Sequence, residues 1–197
     1  MSHYPNYARA TNAAYQLLAK NIAFSLATNV FAIVEVLLGD CKILTYSQAC
    51  FLYGYRLEML LEVSEFGFSI VSGEKRVILY NETVPLGSIR FTIAHEIGHA
   101  VLGHTDEHDP ANEKEANCFA RNLLCPIPIV YGLGIDTVND YVDAFNVTER
   151  MAYVSYDKKG TDKYYITKEN WEIISDMLDA YMMGFPDVKA YYHFVAS

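Results

Sequence analysis

Apolar residues recur at helical spacing near both ends of the chain, with short alternating runs between them. Ala10, Ala14, Leu17 and Leu18 share one side of Tyr7 to Lys20, which predicts an opening helix. Ile22 to Leu38 is largely apolar for 17 residues, near the lower limit for a bilayer span. Ser25, Thr28, Asn29 and Glu35 interrupt it, and no basic flank sets an orientation. With Thr28 or Asn29 as a cap and Gly39-Asp40 as a stop, two shorter buried helices fit better, the second over Asn29 to Leu38. Cys41 to Tyr46 reads as a strand and Ser47 to Glu62 as a helix. Phe66 to Val71 and Arg76 to Asn81 read as a β-hairpin turning at Ser72-Gly73-Glu74-Lys75.

After the turn at Pro85-Leu86-Gly87, Ser88 is placed to cap a helix running to Leu102 or Gly103. Another helix starts near Asn112 and must end by Pro126, because Pro cannot continue it. Beyond the Gly-rich Tyr131 to Gly134, the pattern predicts a short helix capped by Thr148 and a strand-like Tyr164 to Thr167. A final helix, Lys168 to Met183, is capped by Thr167 and stopped at Gly184-Phe185-Pro186. No internal repeat is present. A boundary near residues 132–140 divides a core with a helical N-terminal part (1–135) from a mainly helical C-terminal appendage (136–197).

Composition narrows this picture. The chain has 197 residues, 52% of them apolar and 20% charged, enough to bury roughly 70% of its unfolded surface without disulfide or structural metal. A net charge of −9 argues against nucleic-acid binding, which needs a basic face. The one local basic cluster, Lys158, Lys159 and Lys163, reads as a solvated loop. Cys41, Cys50, Cys118 and Cys125 form no C-x-x-C pair and no zinc spacing. Without a signal peptide they read as reduced, mostly buried thiols of a cytoplasmic protein with no membrane association.

Chemistry enters at His95-Glu96-Ile97-Gly98-His99. Histidines at i and i+4 lie on one helical face, close enough to hold one ion, and Glu96 beside them can serve as general base. Ile89, Ile93, Ile97, Ala100 and Val101 form an apolar stripe toward the core, with His95, Glu96 and His99 on the adjoining face, and Gly98 leaves room for a second helix. Such a string arises by chance in roughly one chain in a hundred of this composition, so its surroundings must decide.

A catalytic zinc takes three protein ligands and keeps one position open. Metzincin spacing would need Gly at 102 and His at 105, where the chain has Leu102 and Thr105, so that class is excluded. His104, five residues past His99 and about 140° around the helix, is a poor ligand. His108 sits in an acidic run, and both read chiefly as solvated loop residues. On a helix, Glu113 shares a face with Asn117, and Glu115 is turned about 200° from Glu113. Asn117, one turn after Glu113, can fix the tautomer of a ligating histidine; the matching partner of Glu115 would be Phe119, which cannot. Glu113 is therefore the better third ligand.

The run Phe91-Thr92-Ile93-Ala94-His95-Glu96-Ile97-Gly98-His99, followed by Glu113-x-Glu115-Ala116-Asn117-x-Phe119-Ala120 and Leu123-Leu124-x-Pro126, closely resembles the ImmA/IrrE family of metallopeptidases. Val77 to Asn81 and Phe145-Asn146-Val147-Thr148 share the likeness, which spans about residues 41–155. The resemblance implies an α+β, gluzincin-like core in which a small β-sheet packs on helices, among them an H-E-x-x-H helix and a glutamate helix. It implies one zinc ion on His95, His99 and Glu113, with Glu96 as catalytic base. It also implies a protein partner, often the repressor of a prophage or mobile element, relieved by cleavage. Asn117 stands where related enzymes often carry Asp, and no helix-turn-helix is evident.

The reaction expected is peptide hydrolysis by zinc-activated water, with Glu96 moving the proton. Arg76 to Asn81 is either an exposed edge for an extended substrate or an interior strand of the sheet. The principal rival is a metal-binding regulator that sequesters its partner without cutting it. A purely structural zinc site is a third reading.

Overall fold

A computed structural model describes residues 4–20, 24–37, 39, 41–73, 75–105 and 109–196. The fold is α+β. The opening helix α1 (Tyr7–Ala19) is capped by Asn6, whose side chain accepts from the Arg9 amide, and buries Ala10, Ala14, Leu17 and Leu18 as the pattern predicts. Of the apolar Ile22 to Leu38, the described part is one helix, α2 (Val30–Leu37), capped by Asn29; Ile22, Ala23 and Leu38 lie outside the described residues. No helix among the described residues is long and apolar enough to cross a membrane.

A three-stranded sheet follows, from β1 (Cys41–Thr45), β2 (Gly67–Ser72) and β3 (Lys75–Tyr80), in the order β1-β3-β2. β1 runs parallel to β3, and β2 antiparallel, with Ile70 opposite Val77. The run Arg76 to Asn81 is thus interior, and the edge reading is corrected. The reason lies in its two faces. Ile78 joins the main core while Leu79 joins a second cluster with Tyr46, Ala49 and Leu60, so both alternating sides are buried. The edges are β1 and β2. Between β1 and β2 the chain forms α3 (Tyr46–Tyr53) and α4 (Leu57–Val63) where one helix is expected, because Gly54 takes a left-handed conformation and ends α3.

Two crossing helices carry the site. α5 (Leu86–Leu102) begins at Pro85, three residues ahead of the expected Ser88, and α6 (Pro110–Leu124) begins at Asp109, whose carboxylate accepts from the Ala111 amide at 2.7 Å. Pro110 at the first helical position explains the earlier start. Gly98 lets the helices meet. A Cβ there would stand 3.1 Å from Phe119 Cδ1 and 3.2 Å from Ala116 Cα. α1 packs along α6, where the Tyr15 hydroxyl donates to Asn122 at 2.8 Å.

The rest is α7 (Ile127–Gly132), α8 (Val138–Phe145), α9 (Glu149–Asp162), α10 (Lys168–Met182) and α11 (Val188–Val195). α7, α8 and α11 go unanticipated. The expected strand Tyr164 to Thr167 is instead a 3-10 turn over Lys163–Tyr165, where the Tyr165 carbonyl accepts from Asn12. The expected lysine loop is helical, with Lys159 donating to Asp136 at 2.6 Å and Lys158 paired with Asp157. Tyr141, Phe145, Met151, Ile174 and Met177 share one core with Ile93 and Ile97, so residues on both sides of position 135 build it. Buried Arg90 ties the halves further, donating to the carbonyls of Phe145, Asn146 and Thr28. All four cysteines are free thiols. Cys118 and Cys125 are buried, Cys41 and Cys50 half-buried.

Candidate metal centre

His95 and His99 stand one turn apart on α5, and Glu113 lies in the first turn of α6, which the Gly98 contact holds against α5. Their ligand-capable atoms fall within 4.8 Å of one another. The two Nε2 atoms are 3.0 Å apart; Glu113 oxygens lie 3.2 Å from His99 Nε2 and 3.6 Å from His95 Nε2. A tetrahedral ion with Zn–N and Zn–O bonds near 2.0–2.2 Å spaces its donors by about 3.4 Å. The three separations bracket that value, so the residues fit a zinc ion.

The electrostatics are those of a donor set. Burial, together with the neighbouring His95, depresses the His99 imidazolium to about 3, leaving a neutral ring. The hydrogen bond from His95 holds the Glu113 carboxyl below the usual range despite partial burial. Burial opposes charge on His95, but the Glu113 and Glu96 carboxylates and Asn117 together raise this ring above its ordinary value. His95 Nδ1 stands 3.2 Å from the Asn117 carbonyl oxygen, one turn along α6 from Glu113.

Glu96 is buried and lines the same cleft as the two histidines and Glu113. The Ser69 hydroxyl, on β2, donates to Glu96 Oε2 at 2.5 Å. Ser69 escapes a sequence reading because only the sheet register brings it across to α5. The cleft has a volume of about 610 Å³ and is walled by Phe66, Phe68, Phe91, Met151 and Val154, with Arg121 and Arg150 also on its lining.

The two residues set aside in sequence are not idle. Glu115 is fully buried on the far side of α6 from Glu113, and His104 is buried with it rather than solvated. His108 lies outside the described residues. The end of α5 explains His104. Gly103, at φ +65°, turns the chain back so that the His104 amide donates to the His99 carbonyl at 3.0 Å. The signal was present as Gly103, a helix stop immediately before the histidine.

Residues 60–152 match the family model described as IrrE N-terminal-like domain, Peptidase_M78, a stretch that runs from α4 into α9 and holds every residue of the donor set. This region of the chain belongs to the ImmA/IrrE family. No curated protein matches the chain. The match supports a metallopeptidase-type function, which implies a protein substrate and a metal, usually zinc. The Ala94 to His99 segment lies in the middle of the matched region, while α1, α10 and α11 flank it.

Proposed function

We propose that the chain is a zinc-dependent endopeptidase that hydrolyses a peptide bond in a protein partner, the partner being a transcriptional repressor of a prophage or mobile element. In this reading His95, His99 and Glu113 hold the metal, Glu96 is the catalytic base, and Asn117 orients His95. The observation that carries it is the convergence of two Nε2 atoms and one carboxylate beside the buried Glu96, in an open cleft. A zinc ion bound there supplies Lewis acidity to the scissile carbonyl and to the attacking water. Glu96 takes the proton of that water and hands it to the leaving amine. Ser69, bonded to one oxygen of Glu96, holds the carboxylate toward the cleft and limits its rotation.

The substrate strand has a template. β2 pairs with β3 on one side, and among the described residues no strand pairs with the other. Phe66, Gly67 and Phe68, where β2 begins, line the cleft. An extended segment laid along this edge gains backbone hydrogen bonds and passes Glu96.

The test is Glu96→Gln, assayed for zinc content and for cleavage of repressors encoded beside this chain. The variant is expected to hold one zinc per chain and to cut nothing. Full activity in the variant would sink the base assignment. Relief of repression by the variant without cleavage would favour the sequestering regulator.

A further inference from the structure

The His99 ring is held from behind. Its Nε2 faces Glu113, and its Nδ1 stands 3.0 Å from Nδ1 of His104. On the other side of that ring, His104 Nε2 lies 3.3 Å from Glu115 Oε2. Glu115 is fully buried. Its Oε1 accepts from the Asn6 backbone amide at 2.8 Å, and Arg9 reaches its Oε2 at 3.4 Å while also donating to the Leu102 carbonyl.

With a neutral His104, these contacts admit one consistent placement of protons. A carboxylate only accepts, so His104 Nε2 carries the hydrogen given to Glu115. Neutral His104 then presents a lone pair at Nδ1, and the 3.0 Å contact requires His99 Nδ1 to carry the hydrogen shared between the two rings. His99 is thereby left with its lone pair on Nε2, the atom turned toward Glu113. The chain of donors ends in a buried anion, which the start of α1 balances with one amide and one guanidinium.

We propose that His104 and Glu115 are positioning residues that fix the tautomer and ring angle of His99 for the metal, and that Asn6 and Arg9 make the first turn of α1 part of this support. The proposal rests on the reading of His99 as a ligand. It assigns a task to a carboxylate and a histidine that do not touch the ion. It also extends the centre beyond the matched family region, since Asn6 and Arg9 precede residue 60.

The test measures zinc affinity of the full chain by competition with a chromogenic chelator, alongside the unfolding midpoint of each metal-free protein. His104→Leu keeps most of the volume and removes the acceptor; it is expected to weaken zinc by roughly 10- to 100-fold. His104→Asn places an amide oxygen close to the position of Nδ1 and is expected to recover most of that loss. A packing role would instead rank the two variants by their unfolding midpoints and leave zinc affinity alike. Equal affinity in Asn and Leu variants, or wild-type affinity in both, overturns the proposal. Should His104→Leu fail to fold, Arg9→Met carries the test from the half-exposed end of the network. A several-fold weaker affinity supports the proposal there, and an unchanged one overturns it. Wild-type protein that binds no zinc at all would instead remove the metallopeptidase reading, an outcome distinct from wild type binding and the variants matching it.

Discussion

Gly98→Ala adds one methyl group at the crossing of α5 and α6, and its effect follows from two opposing magnitudes. Replacing Gly by Ala inside a helix stabilises it by about 1 kcal/mol through propensity alone. The new Cβ, however, would lie 3.1 Å from Phe119 Cδ1, 3.2 Å from Ala116 Cα and 3.3 Å from the Ala116 carbonyl oxygen. Ordinary contact begins near 3.4 Å, and two of these three atoms are backbone of α6, which cannot rotate away. Overpacking of this kind costs about 1–3 kcal/mol. The clash wins, leaving a net loss of about 1 kcal/mol, or roughly 2–4 °C in unfolding midpoint for a chain of this size. α6 moves outward by a few tenths of an ångström and carries Glu113 away from His95 and His99. Chemical denaturation with chelator present measures the first effect, and chelator competition for zinc the second. A variant about 1 kcal/mol more stable than wild type, with zinc affinity intact, would refute both the close approach and its role in spacing the donors.

Three further outcomes follow from the same geometry. Gly103→Ala forces a side chain into φ +65°, which costs about 1–2 kcal/mol; denaturant unfolding should show that loss, and zinc affinity should fall with it because His104 leaves its place behind His99. Ser69→Ala removes the hydrogen bond to Glu96, so peptidase kcat is expected to drop by about tenfold, the equivalent of roughly 1.4 kcal/mol, while zinc content stays at wild type; an unchanged kcat would show that Glu96 needs no such partner. Chelation should abolish cleavage and leave far-UV circular dichroism nearly unchanged, because the core that joins α1, α5, α6 and α10 contains none of the donors; cooperative unfolding on chelation would instead make the zinc structural.

The helices that sequence foretells are those whose ends are chemically marked. α10 starts at the Thr167 cap and stops before Gly184, and α6 stops ahead of Pro126, as the residues require. α8 carries such marks too, the capping box of Thr137 and Asp140 and the helical spacing of Val138, Tyr141, Val142 and Phe145, and the sequence reading passes over them. Pattern misleads where long-range contacts decide. Tyr164 to Thr167 has the residue types of a strand but, among the described residues, no neighbouring strand to pair with, and α9 runs on into a 3-10 turn. The run Val77 to Tyr80 is apolar on both alternating faces, which is the mark of a central strand, and only the second small cluster beneath Leu79 makes that visible.

Glu113 and Glu115 illustrate how far helical geometry alone can reach. Two residues apart on one helix, they must face different directions, and they do: one lies beside two Nε2 atoms, the other fully buried behind them. Sequence could favour Glu113 as the proposed ligand because Asn117 sits one turn from it. It could not find work for Glu115, because that needs His104, and the position of His104 depends on α5 ending rather than continuing. Extrapolated along an unbroken helix, His104 points about 140° away from His99; folded back by Gly103, its ring meets the His99 ring edge to face, with centroids 5.0 Å apart. A single left-handed residue thus decides whether the second carboxylate of this helix is a stray buried charge or the anchor of a ligand.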